Sequence, residues 1–252
     1  MKKSITKIAH VLMPLGAIAA MTACNEHDDM PRPGFSKAEL HATVTTNSGN
    51  APIQVGALTV NDFIIGTQDI NMMFLHENAV EAGVTLDNGT LKSNIDTQLG
   101  QSSTAPKHLV LAAGGEVQKA KIGEGETANG IYSELTFKMH KTDESTGNEA
   151  ANGKSMFLAG ELEDKPVHIW LESEEMVLVS SKDDQGYTIE GQTSLLLTFN
   201  VDKIFANVNF DSATDFDKDG IIEIGPNNAD ANGSIHSIIK SNFGASVEFE
   251  KE

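Results

Sequence analysis

The segment IYSELTFKMH, residues 131–140, has the clearest two-residue alternation in the chain. Ile131, Leu135, Phe137 and Met139 share one parity, and polar or charged residues occupy most of the positions between them. Because successive side chains of a β-strand point to opposite faces, this spacing predicts a strand that buries these four side chains on one face.

Short segments of the same kind recur along the chain and are separated by turn-forming residues. Gly114-Gly115 predicts a tight hairpin turn, and Gly66 indicates either a kink in one long strand or a break between two strands. Such an order of short strands favours an all-β fold. The other segments predicted as strands are 40–44, 56–76, 107–113, 116–122, 155–162, 165–173, 174–180, 187–200 and 246–250.

One helix is predicted near the C-terminus, in residues 234–244. Its apolar positions recur at i, i+3, i+4 and i+8, which is the spacing of one helix face. Ser234 is the expected N-cap, and Gly244 the expected glycine after the last turn. The sequence thus predicts a β-sandwich, immunoglobulin-like or similar, with one short C-terminal helix. The apolar positions are Ile235, Ile238, Ile239 and Phe243.

Two segments are rich in Gly, Asn, Ser and Thr and predict loops. Residues 141–154 lie between two predicted strands and are expected to form a floppy hairpin loop. Residues 86–106 are long enough for an ordered functional loop.

Trp170 either packs against the sheet or stacks on a sugar ring, and packing is the commoner role. The histidines are scattered singly and show no spacing typical of a zinc site.

Residues 1–24, MKKSITKIAHVLMPLGAIAAMTAC, have the composition of a secretory signal. Lys2, Lys3 and Lys7 form a positive region before a short apolar run at 8–20. A helix that spans a bilayer needs about 20 apolar residues, so this run is too short to serve as an anchor. The sequence therefore predicts a signal peptide at 1–23.

The residues at the end of this signal resemble the lipobox of bacterial lipoproteins. Met21-Thr22-Ala23-Cys24 places small residues before a cysteine, with methionine where that family more often has leucine. The resemblance implies that Cys24, the only cysteine of the chain, is lipidated with acyl chains such as palmitate and becomes the first mature residue. It also implies a lipid-anchored protein of the bacterial cell envelope, at the outer membrane and facing either the periplasm or the surface.

Composition limits the partners of the mature chain. Residues 24–35, with acidic residues, two prolines and a glycine, predict a flexible tether, and residues 36–252 a single sandwich domain. Removing residues 1–23 takes away three lysines and no acidic residue, so the formal net charge changes from −18 to −21. Such an acidic domain repels phosphates, and nucleic acid is not expected as a partner.

The stretch DFDKDGIIE, residues 215–223, is typical of a calcium loop. Calcium prefers about six to eight oxygen ligands, and a DxDxDG loop supplies aspartates at positions 1, 3 and 5 with glycine at 6. Positions 7 and 9 add a carbonyl and a further oxygen ligand. The predicted ligands are the carboxylates of Asp215, Asp217, Asp219 and Glu223 and the carbonyl oxygen of Ile221.

The match to an EF-hand ends at position 12, where Pro226 replaces the bidentate glutamate. A closing ligand must therefore come from elsewhere in the chain. A solvated Asp-Gly turn that binds no ion remains the alternative. The additional candidate ligands are Asp211, Asn227, Asn228 and Asp230.

The domain after Cys24 resembles the broad group of β-sandwich envelope lipoproteins that carry a calcium-type DxDxDG loop. That resemblance names no activity. Because the sequence contains no catalytic motif that would identify an enzyme, we expect a binding or structural module with a protein or glycan partner. Two alternatives stay open. An accessory subunit of an envelope assembly would expose apolar strand edges, and a glycan-acting enzyme would need a carboxylate pair across a cleft.

Overall fold

The computed structural model describes residues 34–47, 49, 52–75, 82–87, 90–93, 106–227 and 230–252. The described residues belong to one compact unit. The predicted signal peptide, Cys24, the tether up to residue 33 and Asn228 lie outside the described residues, as does most of the predicted loop at 86–106.

Strands make up most of the described chain. Two helices, α1 (Val201–Ile204) and α2 (Gly233–Phe243), accompany them, and no helix among the described residues combines the length and apolar composition that a membrane span requires. The strands are β1 (Phe35–Thr45), β2 (Ile53–Val55), β3 (Leu58–Leu75), β4 (Ala82–Asp87), β5 (Thr90–Ser93), β6 (Lys107–Ala113), β7 (Glu116–Val117), β8 (Lys119–Ala128), β9 (Gly130–Met139), β10 (Met156–Leu162), β11 (Lys165–Leu171), β12 (Met176–Ser180), β13 (Tyr187–Ile189), β14 (Thr193–Asn200), β15 (Ile222–Ile224) and β16 (Val247–Lys251).

The described strands form two sheets. The smaller sheet has the order β16-β14-β1-β8, with β1 and β14 parallel. The larger sheet follows β12-β9-β3-β10-β11-β15, with β11 and β15 parallel and the shorter strands attached to it. The predicted all-β, sandwich-like fold with a short helix near the C-terminus is therefore confirmed.

Phe199 of β14 connects the two sheets. Its ring centroid lies 6.2 Å from that of Phe63 on β3 and 6.2 Å from that of Phe137 on β9. Phe243 of α2 lies 6.1 Å away on the same core. All four side chains are buried, and aromatic pairs at these distances add to the stabilisation that apolar burial provides.

Strand β9 confirms the predicted strand but corrects one residue of its buried face. Ile131 is 40% exposed and Tyr132 is fully buried, whereas the other three predicted core residues are buried as expected. The cause is a shift in the pairing with β3, at which Ser133 has no partner residue. One such extra residue reverses the inward and outward alternation on one side of it.

Strand β3 is one continuous strand, and Gly66 lies inside it. The Gly66 N–H donates to the carbonyl of Ser155, and its own carbonyl accepts from the N–H of His140, at 3.0 and 2.9 Å. A Cβ at Gly66 would lie 2.0 Å from the His140 carbonyl oxygen, so glycine permits this close approach of the neighbouring chain. The irregular pairing with β9 comes further along, where Asp69 has a φ of 51°.

Several predicted boundaries are wrong. The tether was expected to reach residue 35, but Phe35 already pairs with Ala128 in β1. The segment 187–200 is two strands in different sheets, because Gly191, with a φ of 70°, turns the chain between β13 and β14.

The helix also differs at its ends. It begins at Gly233, with Asn232 rather than Ser234 at the N-cap. Gly244 keeps a right-handed conformation, with φ −58° and ψ −41°, and leads into a 3₁₀ turn instead of a left-handed end. Ile235, Ile239 and Phe243 are buried as predicted, whereas Ile238 is half-buried.

Residues 141–154 form an ordered segment, contrary to the expected floppy loop. They contain two 3₁₀ turns, Glu144–Thr146 and Glu149–Ala151, which the side chains of Asp143 and Asn148 cap. Ala151 is buried in a small apolar cluster that it shares with Ile64, Phe157 and Trp170. The buried position of Trp170 agrees with a packing role for this side chain.

Candidate calcium site

The three aspartates of the DxDxDG loop converge. Asp215, Asp217 and Asp219 each place a carboxylate oxygen within 4.8 Å of the other two. A calcium ion bound to oxygens at about 2.3–2.6 Å would span oxygens separated by up to about 5 Å. The loop that connects α1 with β15 therefore presents three oxygens at a spacing that one ion could share.

Backbone N–H groups within the loop hold these carboxylates in place. The N–H groups of Gly220, Asp219 and Ile221 donate to the carboxylates of Asp215, Asp217 and Asp219, at 3.2, 3.2 and 2.8 Å respectively. Gly220 has a φ of 94°, which the sharp turn requires and a glycine adopts without strain. The chain is thereby curled around its own aspartates.

Asp215 has one oxygen that the described residues leave without a hydrogen-bond donor. Its Oδ2 accepts from Gly220, whereas its Oδ1 is a buried atom with no hydrogen-bond partner among the described residues. A buried oxygen without a partner costs about 1–3 kcal/mol, and more when it is charged. A cation bound by the three aspartates would satisfy this oxygen.

Asp230 joins the two ends of the loop. This side chain is 1% exposed. Its Oδ1 accepts the N–H of Phe216 at 2.7 Å and that of Asp217 at 3.4 Å, and its Oδ2 accepts the N–H of Glu223 at 2.6 Å. The sequence suggests Asp230 as an additional ligand, and its contacts make it the carboxylate that fixes the loop backbone.

Asn232 supports the same loop, although sequence reasoning assigns it no role. Its amide nitrogen donates to the carbonyls of Thr214 and Glu223, at 2.9 and 2.8 Å, and its amide oxygen accepts the N–H of Thr214 at 3.1 Å. The signal available in the sequence is the alternation of Asn and Asp in residues 228–232, just before α2.

Glu223 lies near the acidic cluster without belonging to the converging group. Burial raises the pKa of its carboxyl, the negative charges of Asp219, Asp230 and Asp217 raise it further, and Lys154 acts in the opposite direction. The raised pKa shows that the negative charge of Glu223 is unfavourable there. A bound cation would reverse that effect.

The remaining candidate ligands are not brought into the cluster. Asp211 is exposed in the 3₁₀ turn Phe210–Ser212, and Asn227 is exposed with a φ of 53°. Neither adds a closing ligand among the described residues, and Asn228 lies outside them. Ile221 occupies position 7 of the motif, directly after Gly220, and is half-buried.

Comparisons with models of protein families, with curated proteins and with solved structures find no match to this chain. The candidate site therefore stands on the geometry and chemistry of the described residues.

Proposed function

We propose that this chain is a lipid-anchored, extracytoplasmic β-sandwich with a binding or structural role, in which a calcium ion stabilises the loop of residues 215–223. The lipobox-like sequence that ends at Cys24 supports the anchor and the envelope location. The convergence of Asp215, Asp217 and Asp219, with a buried oxygen to which no described residue donates a hydrogen bond, carries the calcium proposal.

The ion would neutralise charges that otherwise repel one another. Three aspartates and Glu223 lie close together in a chain of strongly negative net charge. The ligands would be the three aspartate carboxylates, the Ile221 carbonyl, Glu223 directly or through water, and further water. An extracellular site of this kind has a Kd on the order of 10⁻⁴–10⁻³ M.

The role of the ion would be to hold one edge of the larger sheet. The loop leads directly into β15, which ends that sheet and pairs in parallel with β11 through three residues only. Ordering the loop would fix β15 and the surface beside it, on which a protein or glycan partner would bind. No step of catalysis is assigned to the ion.

Thermal unfolding of the full chain in detergent tests this proposal. Calcium at ten times its Kd adds about 1.4 kcal/mol to the free energy of unfolding, which raises the Tm by a few degrees compared with chelator. Asp217→Asn is expected to abolish the shift, and Asp211→Asn, an exposed aspartate outside the cluster, to keep it. Superimposed curves for the unsubstituted chain, or a full shift in Asp217→Asn, would contradict the proposal.

An accessory subunit of an envelope assembly is a second candidate. Met176 and Leu178 are 58% and 57% exposed on β12, which ends the larger sheet on the side opposite β15. Exposed apolar residues on a terminal strand are suited to a protein interface. The chain would then migrate as a defined complex after mild solubilisation, and Leu178→Asp would release it as a folded monomer; a monomeric unsubstituted chain would exclude this candidate.

A further inference from the structure

Two exposed apolar side chains lie at the end of the sandwich where β1 begins. Phe35, the first residue of β1, is 52% exposed, and Ile131, the second residue of β9, is 40% exposed. Phe35 pairs with Ala128 at the end of β8. In the connection from β8 to β9, the Asn129 N–H donates to the Gly34 carbonyl at 2.7 Å. The start of β1 and the start of β9 therefore lie side by side, and together they are called the tether end below.

The predicted tether joins the domain at this end. Residues 25–33 lie between Cys24 and Gly34, the first described residue. Because an extended chain spans at most about 3.3–3.6 Å per residue, the distance from Cys24 to Gly34 cannot exceed about 35 Å. Acyl chains on Cys24 would thus hold the tether end close to a bilayer, and this step rests on the lipid anchor of the proposed function.

The calcium loop lies towards the opposite end of the larger sheet. Ile131 pairs with Leu75, the last residue of β3. Ile222, which follows the loop, lies level with Val60 near the start of β3, through the pairings of β15 with β11, β11 with β10 and β10 with β3. The stretch of β3 from Val60 to Leu75 measures up to about 50 Å at a strand rise of about 3.3 Å per residue. The loop and the tether end are therefore at different ends of the sheet.

Charge does not draw the tether end to a membrane. The mature chain has a formal net charge of −21, and the exposed ionisable residues next to this end are Lys37, Glu126 and Glu190. An acidic surface is repelled by anionic lipid. Apolar and aromatic side chains, by contrast, are stabilised at the boundary between lipid head groups and acyl chains. Contact with a bilayer would therefore depend on Phe35 and Ile131.

We propose that the tether end rests on the bilayer surface, with Phe35 and Ile131 at the boundary between head groups and acyl chains. A lipid surface is the occupant of this apolar end because the anchor keeps it permanently within reach. A tethered contact is intramolecular, so even a weak one is occupied. The calcium loop and β15 then lie on the side of the domain away from the lipid, where a partner can reach them.

Fluorescence quenching in vesicles tests this orientation. The full lipidated chain is reconstituted into phosphatidylcholine vesicles that contain a nitroxide-labelled lipid, with an environment-sensitive fluorophore on the new cysteine of Phe35→Cys or Ile131→Cys. Cys24 is the only natural cysteine, and acylation blocks its thiol. Each probe is expected to emit at shorter wavelength and to lose most of its intensity to the quencher. Both positions are exposed, so the substitutions should leave the Tm unchanged.

Val117→Cys is the matched control. Val117 is 41% exposed, close to the value for Ile131, but it lies on β7 near the other end of β1. The Thr43 hydroxyl, near the last residue of β1, donates to the carbonyl of Gln118 beside it. A probe at Val117 should therefore stay unquenched, although its side chain is as apolar and as accessible.

Flotation of the vesicles separates this inference from the proposed anchor. If the chain floats with the vesicles but the probes at Phe35 and Ile131 are no more quenched than the probe at Val117, the anchor holds and the orientation is overturned. A chain that does not float lacks the lipid anchor, which overturns the proposed anchor and the orientation with it. Strong quenching at Phe35 and Ile131 alone supports the orientation.

Discussion

Asp230 is a buried carboxylate whose partners are backbone N–H groups from both ends of the calcium loop. In Asp230→Asn the amide keeps one acceptor oxygen and places an NH₂ group against a backbone donor. The free energy of unfolding is therefore expected to fall by about 1–3 kcal/mol. Urea unfolding measures the change, and Asp211→Asn, in which an exposed side chain is altered, should stay within about 0.5 kcal/mol. Equal losses in both variants would argue against this role of Asp230.

Glu223 gives the site a predictable pH dependence. Its pKa in the folded protein is raised, so the folded state favours the protonated carboxyl. Ionised Glu223 therefore lowers stability above the raised pKa, and this penalty disappears as the pH falls towards the usual value of 4.5. In chelator at neutral pH, Glu223→Gln should be slightly more stable than the unsubstituted chain, by a small amount because the carboxyl is partly exposed and its charge is screened by solvent.

The check on Glu223→Gln is a comparison of its Tm with that of the unsubstituted chain across the acidic range. The difference in chelator should vanish near pH 4.5, and calcium should stabilise the variant less than the unsubstituted chain. A variant that is less stable at neutral pH in chelator would show that the charge of Glu223 is favourable in the folded state.

The sequence predicts the role of some residues of the calcium loop but not of others. Asp215, Asp217 and Asp219 follow a motif in which spacing alone implies convergence, and the structure brings them together. The sequence offers Asp230 only as an additional ligand and gives Asn232 no role, because the partners of both side chains are backbone groups that become neighbours only when the chain folds. No local pattern indicates which distant N–H group a carboxylate will meet.

At the scale of elements, α2 offers a direct test of which helix face supports the core. Ile238 and Ile239 are adjacent, but Ile239 is fully buried and Ile238 is half-buried. Ile239→Ala should lower the free energy of unfolding by about 2–5 kcal/mol, because it removes buried methyl groups and leaves a cavity. Ile238→Ala should lower the free energy of unfolding markedly less. If urea unfolding gave similar decreases for the two variants, α2 would have to face the core with a different side.

The strands were predictable where burial alternates without interruption, as in the Leu40, Ala42 and Val44 face of β1. They were not predictable where pairing shifts. Ser133 of β9, which has no partner residue in β3, reverses the alternation, and neither it nor its two neighbours is a glycine or proline that would indicate the shift. The order of residues 141–154 also depends on distant contacts, because Ala151 packs against Ile64 and Trp170.

At the scale of the whole molecule, long-range pairing brings together residues that sequence spacing keeps apart. His108 and His140 meet only because both β6 and the end of β9 adjoin Gly66. The overall sandwich could be predicted because it depends on the sum of many strand patterns, whereas a contact between two distant side chains depends on one register.

The proposed anchor is also a property of the whole molecule. Acyl chains on Cys24 would contribute about 0.8 kcal/mol for each buried CH₂ group, so the chain should stay with the membrane fraction. Metabolic labelling with palmitate should mark the unsubstituted chain, and Cys24→Ser should be unlabelled and leave the membrane fraction. Label retained in Cys24→Ser, or a wholly unlabelled unsubstituted chain, would contradict lipidation at this residue.

Calcium binding by the loop of residues 215–223 is tested most directly by isothermal titration calorimetry of the full chain in detergent. We predict one calcium ion per chain, with a Kd on the order of 10⁻⁴–10⁻³ M, lost in Asp217→Asn and preserved in Asp211→Asn. No binding heat from the unsubstituted chain, or equal binding by Asp217→Asn, would show that DFDKDGIIE is a turn and that no calcium ion is held there.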